Sequence, residues 1–579
     1  MKRRMGKWST VILIAALALN TACANNNREQ KNNNAGEQAP TNQGEKVAQE
    51  NPREKVGLSF WAAELWASSP PGRQEDPIMK HIEEKFNIEL DMETQPSDEK
   101  LAAILATNDL KDIMVIPKKN FDQMKSLVID MEPLLEKYGQ DIKKNISPET
   151  ISYYKEMFGD GQLKFLGSEI STDGPVLPET IWAGPYVRWD YYKELGYPAI
   201  ETPDDYIKVV ADMKKLHPNN EDGKPYHGFS LWLDWGYGIL ADHWNVRRQG
   251  AEVIGGLTNI LQIDRESFEY FNKYTNENSG FWADLDFWNK ANKAGLIDPD
   301  SWTQKYDQAV QKYNTGQVLA TYINWVIGGS NSYLQSKQIY DKGWTADNPI
   351  PMSGENYYYN TANKGQNFVY AISKDSKNPE RAMELINYFY SVEGVLTIIN
   401  GIEGQDWVNE NGEYTYTDTY FENEKDAENA LKFGYRKYAN QSGLDITGFV
   451  PGTKNPLDFR NNQSYMEIQL EKPENALKKE ITSYYNAEFP NKIPPKGQEY
   501  GKTRIAELSP LLPPSEPDEI KLISDRIVNY LNQEVIKLIL ADDFGAHKAK
   551  IIKELEKMGI DKVYTFWDGE MQKALSELN

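Results

Sequence analysis

Trp and Tyr beside Asp, Glu and Arg are the residues here whose types and spacing suit a ligand. The first such group is residues 60–66 (FWAAELW), where Trp61, Glu64 and Trp66 follow a short apolar run. A second is the Gly-broken segment holding Trp232, Asp234, Trp235 and Tyr237. A third is Asn324-Trp325, directly after an apolar run, and a fourth is Asp406-Trp407 within GQDW. Arg188 completes the set, as a partner for a hydroxyl or carboxylate or as half of an internal salt bridge. Indole and phenol rings stack on the C–H faces of sugar rings, and planar polar side chains pair with adjacent hydroxyls. Each aromatic in these groups can equally be core, and the run Tyr357–Tyr359 reads as packed strand.

The chemistry of catalysis is harder to find. There is no G-x-S-x-G elbow, H-E-x-x-H pair, P-loop or G-x-G-x-x-G. Five scattered histidines (81, 217, 227, 243 and 547) and a single cysteine give no metal cluster and no internal disulfide. No cofactor is expected. A hydrolase cutting sugar bonds needs only two carboxylates, so it stays open as an alternative, as does a non-catalytic surface glycan binder. An adhesin built of repeats does not, because no internal repeat is present.

The lone cysteine is itself informative. A basic start (Lys2, Arg3, Arg4, Lys7) precedes an apolar run from Val11 to Leu19, then Asn20-Thr21-Ala22-Cys23. That run is too short for a permanent bilayer span and reads as a secretory signal over 1–22. Cys23 is expected to become a lipidated N-terminus, as at a bacterial lipobox, although Asn20 stands where an apolar residue is usual. Plain secretion is the alternative. Residues 23–54 are rich in Asn, Gln, Glu and Lys and cannot bury a core; such a tether of ~30 residues has an r.m.s. reach of ~30 Å. The formal charge of -22 becomes -26 once residues 1–22 and their four cations are removed. This excludes nucleic acid as a partner and makes lipid on Cys23 the expected membrane contact. No later stretch is apolar enough to span a bilayer. The expected place is therefore the extracellular face of the cell membrane.

The elements that must position these residues follow from periodicity. Strands are expected at 55–61, 88–92 and 112–116, with helices at 76–86 and 100–106 between them. This β-α-β-α-β order predicts a mostly parallel sheet covered by helices. Further on, Thr202, Pro203 and Asp205 form a capping-box start for a helix carrying Tyr206, Val209, Val210 and Met213. Strands at 318–323 and 368–372, a helix near 287–294, another after Asn378, one over 518–540 and a last pair at 546–558 and 571–578 complete the pattern.

Several segments in order resemble the family 1 extracellular solute-binding proteins of bacterial ABC importers, in their long Gram-positive lipoprotein branch. They are residues 100–113 (KLAAILATNDLKDI), 131–138 (MEPLLEKY), 187–197 (VRWDYYKELGY), 294–300 (AGLIDPD), 316–320 (GQVLA) and 372–382 (ISKDSKNPERA). The resemblance runs over 56–567. It implies a periplasmic-binding-protein-like α/β fold: two α/β lobes with a ligand cleft between them, joined by several crossing strands. By that analogy the chain crosses near 181–187, 318–325 and 368–372. Lobe 1 would then hold 55–183 and 321–370; lobe 2 would hold 184–320 and 371–579, with a C-terminal helical region. The implied function is capture of a sugar or oligosaccharide for an ABC importer, with permease subunits and an ATPase as partners and the protein itself a monomer. The implied protein is no enzyme. Some long members carry a calcium loop after the helix that starts at Thr202; here residues 217–226 (HPNNEDGKPY) offer Asn219, Glu221 and Asp222 in a shortened turn, and a plain turn is the expectation.

Overall fold

The computed structural model describes residues 54–63, 70–172, 183–265, 267–345, 349–350, 352, 364–365, 368–425, 427–493 and 508–578. The signal segment, Cys23 and the tether lie outside them, as do Glu64, Trp66 and the run at Tyr357–Tyr359.

The first block folds as its periodicity predicts. Strand β1 (Val56–Ala62) is followed by β2 (Gly72–Arg73), a helix Pro77–Phe86, β3 (Ile88–Thr94), a helix Asp98–Thr107, and β4 (Ile113–Pro117). The helix Pro77–Phe86 starts where Asp76 accepts a hydrogen bond from the Met79 amide, and it buries Ile78, Met79 and Ile82. β1 runs parallel to both β3 and β4. A short β5 (Leu166–Gly167) ends the block.

The second block opens with β6 (Ala183–Val187). The capping box at Thr202 and Asp205 forms as expected, at the head of Pro203–Leu216. A small antiparallel sheet of β7 (Ala251–Ile254), β8 (Leu261–Asp264) and β9 (Tyr270–Asn272) follows, then a buried helix Gly280–Lys293 and β10 (Ala320–Ile323). Next along the chain come β11 (Phe368–Ile372), the hairpin β12 (Trp407–Glu410) and β13 (Glu413–Tyr416), and three C-terminal helices, Asp518–Ile539, Phe544–Met558 and Ile560–Leu578. The last begins well before the expected 571.

Two separate hydrophobic cores divide these elements into two lobes. One draws on Leu58 to Ile170 and Val369 to Phe459. The other draws on Tyr186 to Met352 and Leu477 to Ala574. This corrects two expected boundaries. Residues 321–352 stay in the second lobe, because β10 pairs with β6 and Tyr322, Ile323, Val326 and Ile327 bury in its core. Residues 371–459 belong to the first, because β11 lies antiparallel to β4 from Phe368↔Pro117 to Ile372↔Ile113, and the helix Pro379–Phe389 buries Ala382, Leu385, Ile386 and Phe389 there. The chain thus changes lobe between 170 and 186, between 352 and 369, and a third time between 459 and 477. The third connection contains the helix Gln463–Glu471, which buries none of its residues. The first lobe's sheet has the order β2-β3-β1-β4-β11-β5.

Candidate functional site

Open α/β sheets offer ligands the carboxyl ends of their parallel strands. In the second lobe, β10 pairs antiparallel with β6, and Ile323 sits opposite Ala183. His227 bridges Val318 in parallel, and Phe229 bridges Ile297 in parallel. Three chain segments therefore run the same way and end together, beside the point where the chain enters from the first lobe at Ala183. Each segment leads into aromatic residues: β10 into Asn324-Trp325, Phe229 into Trp232 to Trp235, and Ile297 into Trp302 and Tyr306.

Two of these indoles are open. Trp235 is 53 % exposed and Trp325 is 41 % exposed, against a background of fully buried tryptophans in the same lobe. Trp235 lies over Tyr306 at 4.3 Å between ring centroids with a 31° tilt. Trp232 is buried beneath, edge-on to both rings. Its indole N–H has no acceptor among the described residues. The exposed Asp234 fixes this loop by accepting from the Tyr306 amide at 3.1 Å. Asn324 is half-buried beside Trp325. Tyr306 is not legible as a site residue in the sequence, since nothing there ties it to Trp235, 71 positions earlier in the chain.

The other expected contacts are interior, which corrects their assignment. Trp61 is buried on β1 and donates from Nε1 to Glu93 at 3.1 Å. Tyr237 is buried, with its hydroxyl 2.7 Å from that of Tyr274 and its amide held by Asn532. Asp406 is buried, accepting from the Ile402 amide and the Tyr435 hydroxyl. Trp407 donates to the Gly401 carbonyl and packs on Tyr414 and Phe459 in the first core. Each has its polar atoms satisfied within its own lobe, so none offers a face to a ligand.

Arg188 resolves to the internal salt bridge. It is 0 % exposed; its guanidinium donates to Asp190 at 2.9 and 3.0 Å, to Glu221 at 3.0 Å and to the Tyr226 hydroxyl at 2.8 Å. The same network answers the question of a cation in the loop 217–226. Glu221 is taken by Arg188, Asp222 by Lys337 and Tyr333, and the neighbouring Asn220 Oδ1 by the amides of Asp222 and Lys224. A hard cation needs six or more free oxygens, and of the three expected ligands Glu221 and Asp222 are committed to protein donors, which leaves only Asn219 of that set. The residues present do not fit calcium.

The second lobe also buries charge in its core. Lys273 pairs with Asp242 at 2.7 Å in the core. Beside them Asp284 accepts from the Asn245 amide and side chain at 2.9 Å, and burial pushes its carboxyl up to about 7. Burial likewise drives His243 down to about 3.

The corresponding end of the first lobe is different. Lys118 lies just beyond the carboxyl end of β4 and is half-buried. Its ammonium donates to the Gly365 carbonyl at 2.6 Å. Burial lowers it to about 8. The sequence marks Lys118 only by position, as a lysine one residue beyond a strand ending in Pro117, and it is not among the expected contacts.

Among the described residues no helix is long and apolar enough to cross a membrane. No family model matches the sequence, and no curated relative matches it. Solved structures do. The ABC-transporter substrate-binding protein FusA of S. pneumoniae, in complex with kestose, is 18% identical, with 90% of this chain and 99% of that one covered at a TM-score of 0.57. An HMO-binding, ABC-transporter-associated solute-binding protein of Bifidobacterium longum infantis is 14% identical over 90% and 99% at 0.55. The alginate-binding protein AlgQ2 is 15% identical over 90% and 98% at 0.53. Such coverage of both chains at such low identity establishes architecture: the chain has the two-lobed α/β fold of ABC-transporter substrate-binding proteins.

Proposed function

We propose that the protein is an extracellular solute-binding protein that captures a sugar or oligosaccharide between two closing lobes and hands it to the permease subunits of an ABC importer. The observation that carries this reading is the pair of open indoles, Trp235 and Trp325, at converging strand ends beside the entry from the other lobe. Each presents part of an indole face to solvent at those strand ends, the kind of surface that stacks on the C–H face of a sugar ring. The likeness to sugar-binding substrate-binding proteins supports the same reading. The function is binding without turnover. The Gram-positive lipoprotein branch, and lipid on Cys23 holding the protein at the outer face of the membrane, belong to this proposal and rest on the sequence alone.

The test is a thermal-shift screen of residues 54–579 against neutral and acidic oligosaccharides. A ligand at 100 times its Kd adds ~2.7 kcal/mol of stability. The reading expects at least one oligosaccharide to raise the melting temperature and to be recovered uncut. Hydrolysis of that sugar, or no response to any, would contradict it.

A further inference from the structure

Some cations of this chain, Lys214 and Lys548 among them, have a carbonyl in place of a carboxylate as their partner among the described residues. Two other cations lie together at the carboxyl end of the first lobe's sheet. Lys118 Nζ stands 5.7 Å from the centroid of the Tyr154 ring, and Lys364 Nζ stands 5.0 Å from that of Tyr153. The two rings meet edge-on at 5.1 Å on the helix Pro148–Phe158. Among the described residues neither ammonium has a carboxylate within ion-pair distance, and the only hydrogen-bond acceptor of Lys118 is the Gly365 carbonyl.

The place matters as much as the charge. Pro117, just before Lys118, pairs with Phe368, the first residue of β11. Lys364 bridges Ile170, the last core residue before the chain leaves for the second lobe. The corner thus sits where two of the three connections between lobes depart, at the end of the sheet that open α/β folds give to ligands.

A purely structural role does not explain the charge. Tying Gly365 to β4 needs one donor, which a neutral amide supplies. A half-buried ammonium instead costs solvation, and burial lowers Lys118 to about 8. Buried charges persist when something pairs with them. The tyrosine faces stabilise a cation weakly and leave N–H groups over.

We infer that Lys118 and Lys364 form an anion-accepting corner of the cleft, and that the captured oligosaccharide carries acidic substituents, carboxylates of uronic acids being the class that fits. This rests on the sugar-binding reading above and narrows it. The stacking faces then come from one lobe and the counter-charge from the other.

Calorimetric titration of residues 54–579 with an oligouronate and with its carboxyl-reduced, neutral counterpart tests the inference. The oligouronate is expected to bind at least ten-fold more tightly. Lys118→Met should remove that preference while lowering the melting temperature by no more than the loss of one hydrogen bond, to Gly365, implies. Lys118→Arg should keep most of the preference, and Lys364→Met should reduce it less. Equal affinity of the wild type for both sugars overturns the inference while leaving sugar capture intact. So does a Lys118→Met variant that weakens both sugars alike, since that marks a structural tie. Competition by inorganic sulfate alone at the oligouronate's own concentration would mean a simple ion site and also overturns it. Binding of neither sugar removes the inference and the function together.

Discussion

The two lobes end their sheets in opposite ways. At the second lobe's end the indoles of Trp235 and Trp325 are exposed beside the carboxylate of Asp234, while the lobe's buried cations are paired elsewhere: Arg188 with Asp190 and Glu221 at the far end of β6, and Lys273 with Asp242 in the interior. At the first lobe's end the arrangement is reversed. There Trp61 is sealed in the core and, among the described residues, the charge of Lys118 has no carboxylate partner. A site assembled from both ends gains apolar faces from one side and polar, charged contacts from the other, and neither half is complete alone. That division gives a reason for closure: only the closed form lets a ligand use both.

The division breaks first if Arg188 proves to be a ligand contact. Arg188→Met leaves Asp190 and Glu221 without their partner, and breaking a buried pair costs ~3–5 kcal/mol. The expected outcome is a large loss of melting temperature, unchanged sugar affinity in the folded fraction, and no rescue by calcium. Normal stability with lost affinity would make Arg188 a ligand contact and end the contrast.

The next effect concerns the second lobe's buried acid. A carboxyl raised to about 7 in the fold stabilises fully below its unfolded value near 4 and loses that contribution as the pH climbs through 7. Asp284→Asn cannot ionise. Its stability relative to the wild type should therefore rise by ~2 kcal/mol between pH 5 and pH 8, a ten-fold change in a protonation equilibrium being worth ~1.4 kcal/mol. Chemical denaturation at the two pH values measures this. A constant difference would show that the group is already ionised at pH 5.

The smallest effect sharpens the first lobe's side. Trp61→Phe keeps the ring in the core and removes the hydrogen bond to Glu93, worth ~1 kcal/mol. Stability should fall by about that much and sugar affinity should not change. A loss of affinity would return Trp61 to the cleft.

Much of this arrangement is legible in the residues themselves. The first block follows from apolar period alone, because Ile78 and Ile82 recur at helical spacing and β1, β3 and β4 are short apolar runs between turn residues. The capping box at Thr202 is a purely local device and forms as written. What period cannot say is which sheet a strand joins. β10 and β11 are both short apolar strands, yet one pairs with β6 and the other with β4, and the lobe boundaries turn on that choice. The candidate site shows the same limit. Burial of Trp61, Tyr237 and Trp407 depends on partners 32, 37 and 52 residues away, Glu93, Tyr274 and Phe459, whereas Trp235 and Trp325 sit directly after segments whose ends the topology exposes. A lone lysine such as Lys118 is ordinary in a sequence, and only the fold shows its ammonium on the Gly365 carbonyl, with no ion pair among the described residues.

Whether the second lobe's open indoles hold a sugar is tested most directly by calorimetric titration of Trp325→Ala beside the wild type, using a sugar found by the screen, together with each protein's melting temperature. Partial cover of an aromatic ring at ~25 cal/mol per Å² is worth ~1–2 kcal/mol. The expected result is a loss of affinity of about ten-fold with a melting temperature close to that of the wild type, and a similar loss for Trp235→Ala. A melting temperature lowered by the ~3–5 kcal/mol typical of a truncated core aromatic, with affinity unchanged in the folded fraction, would contradict it.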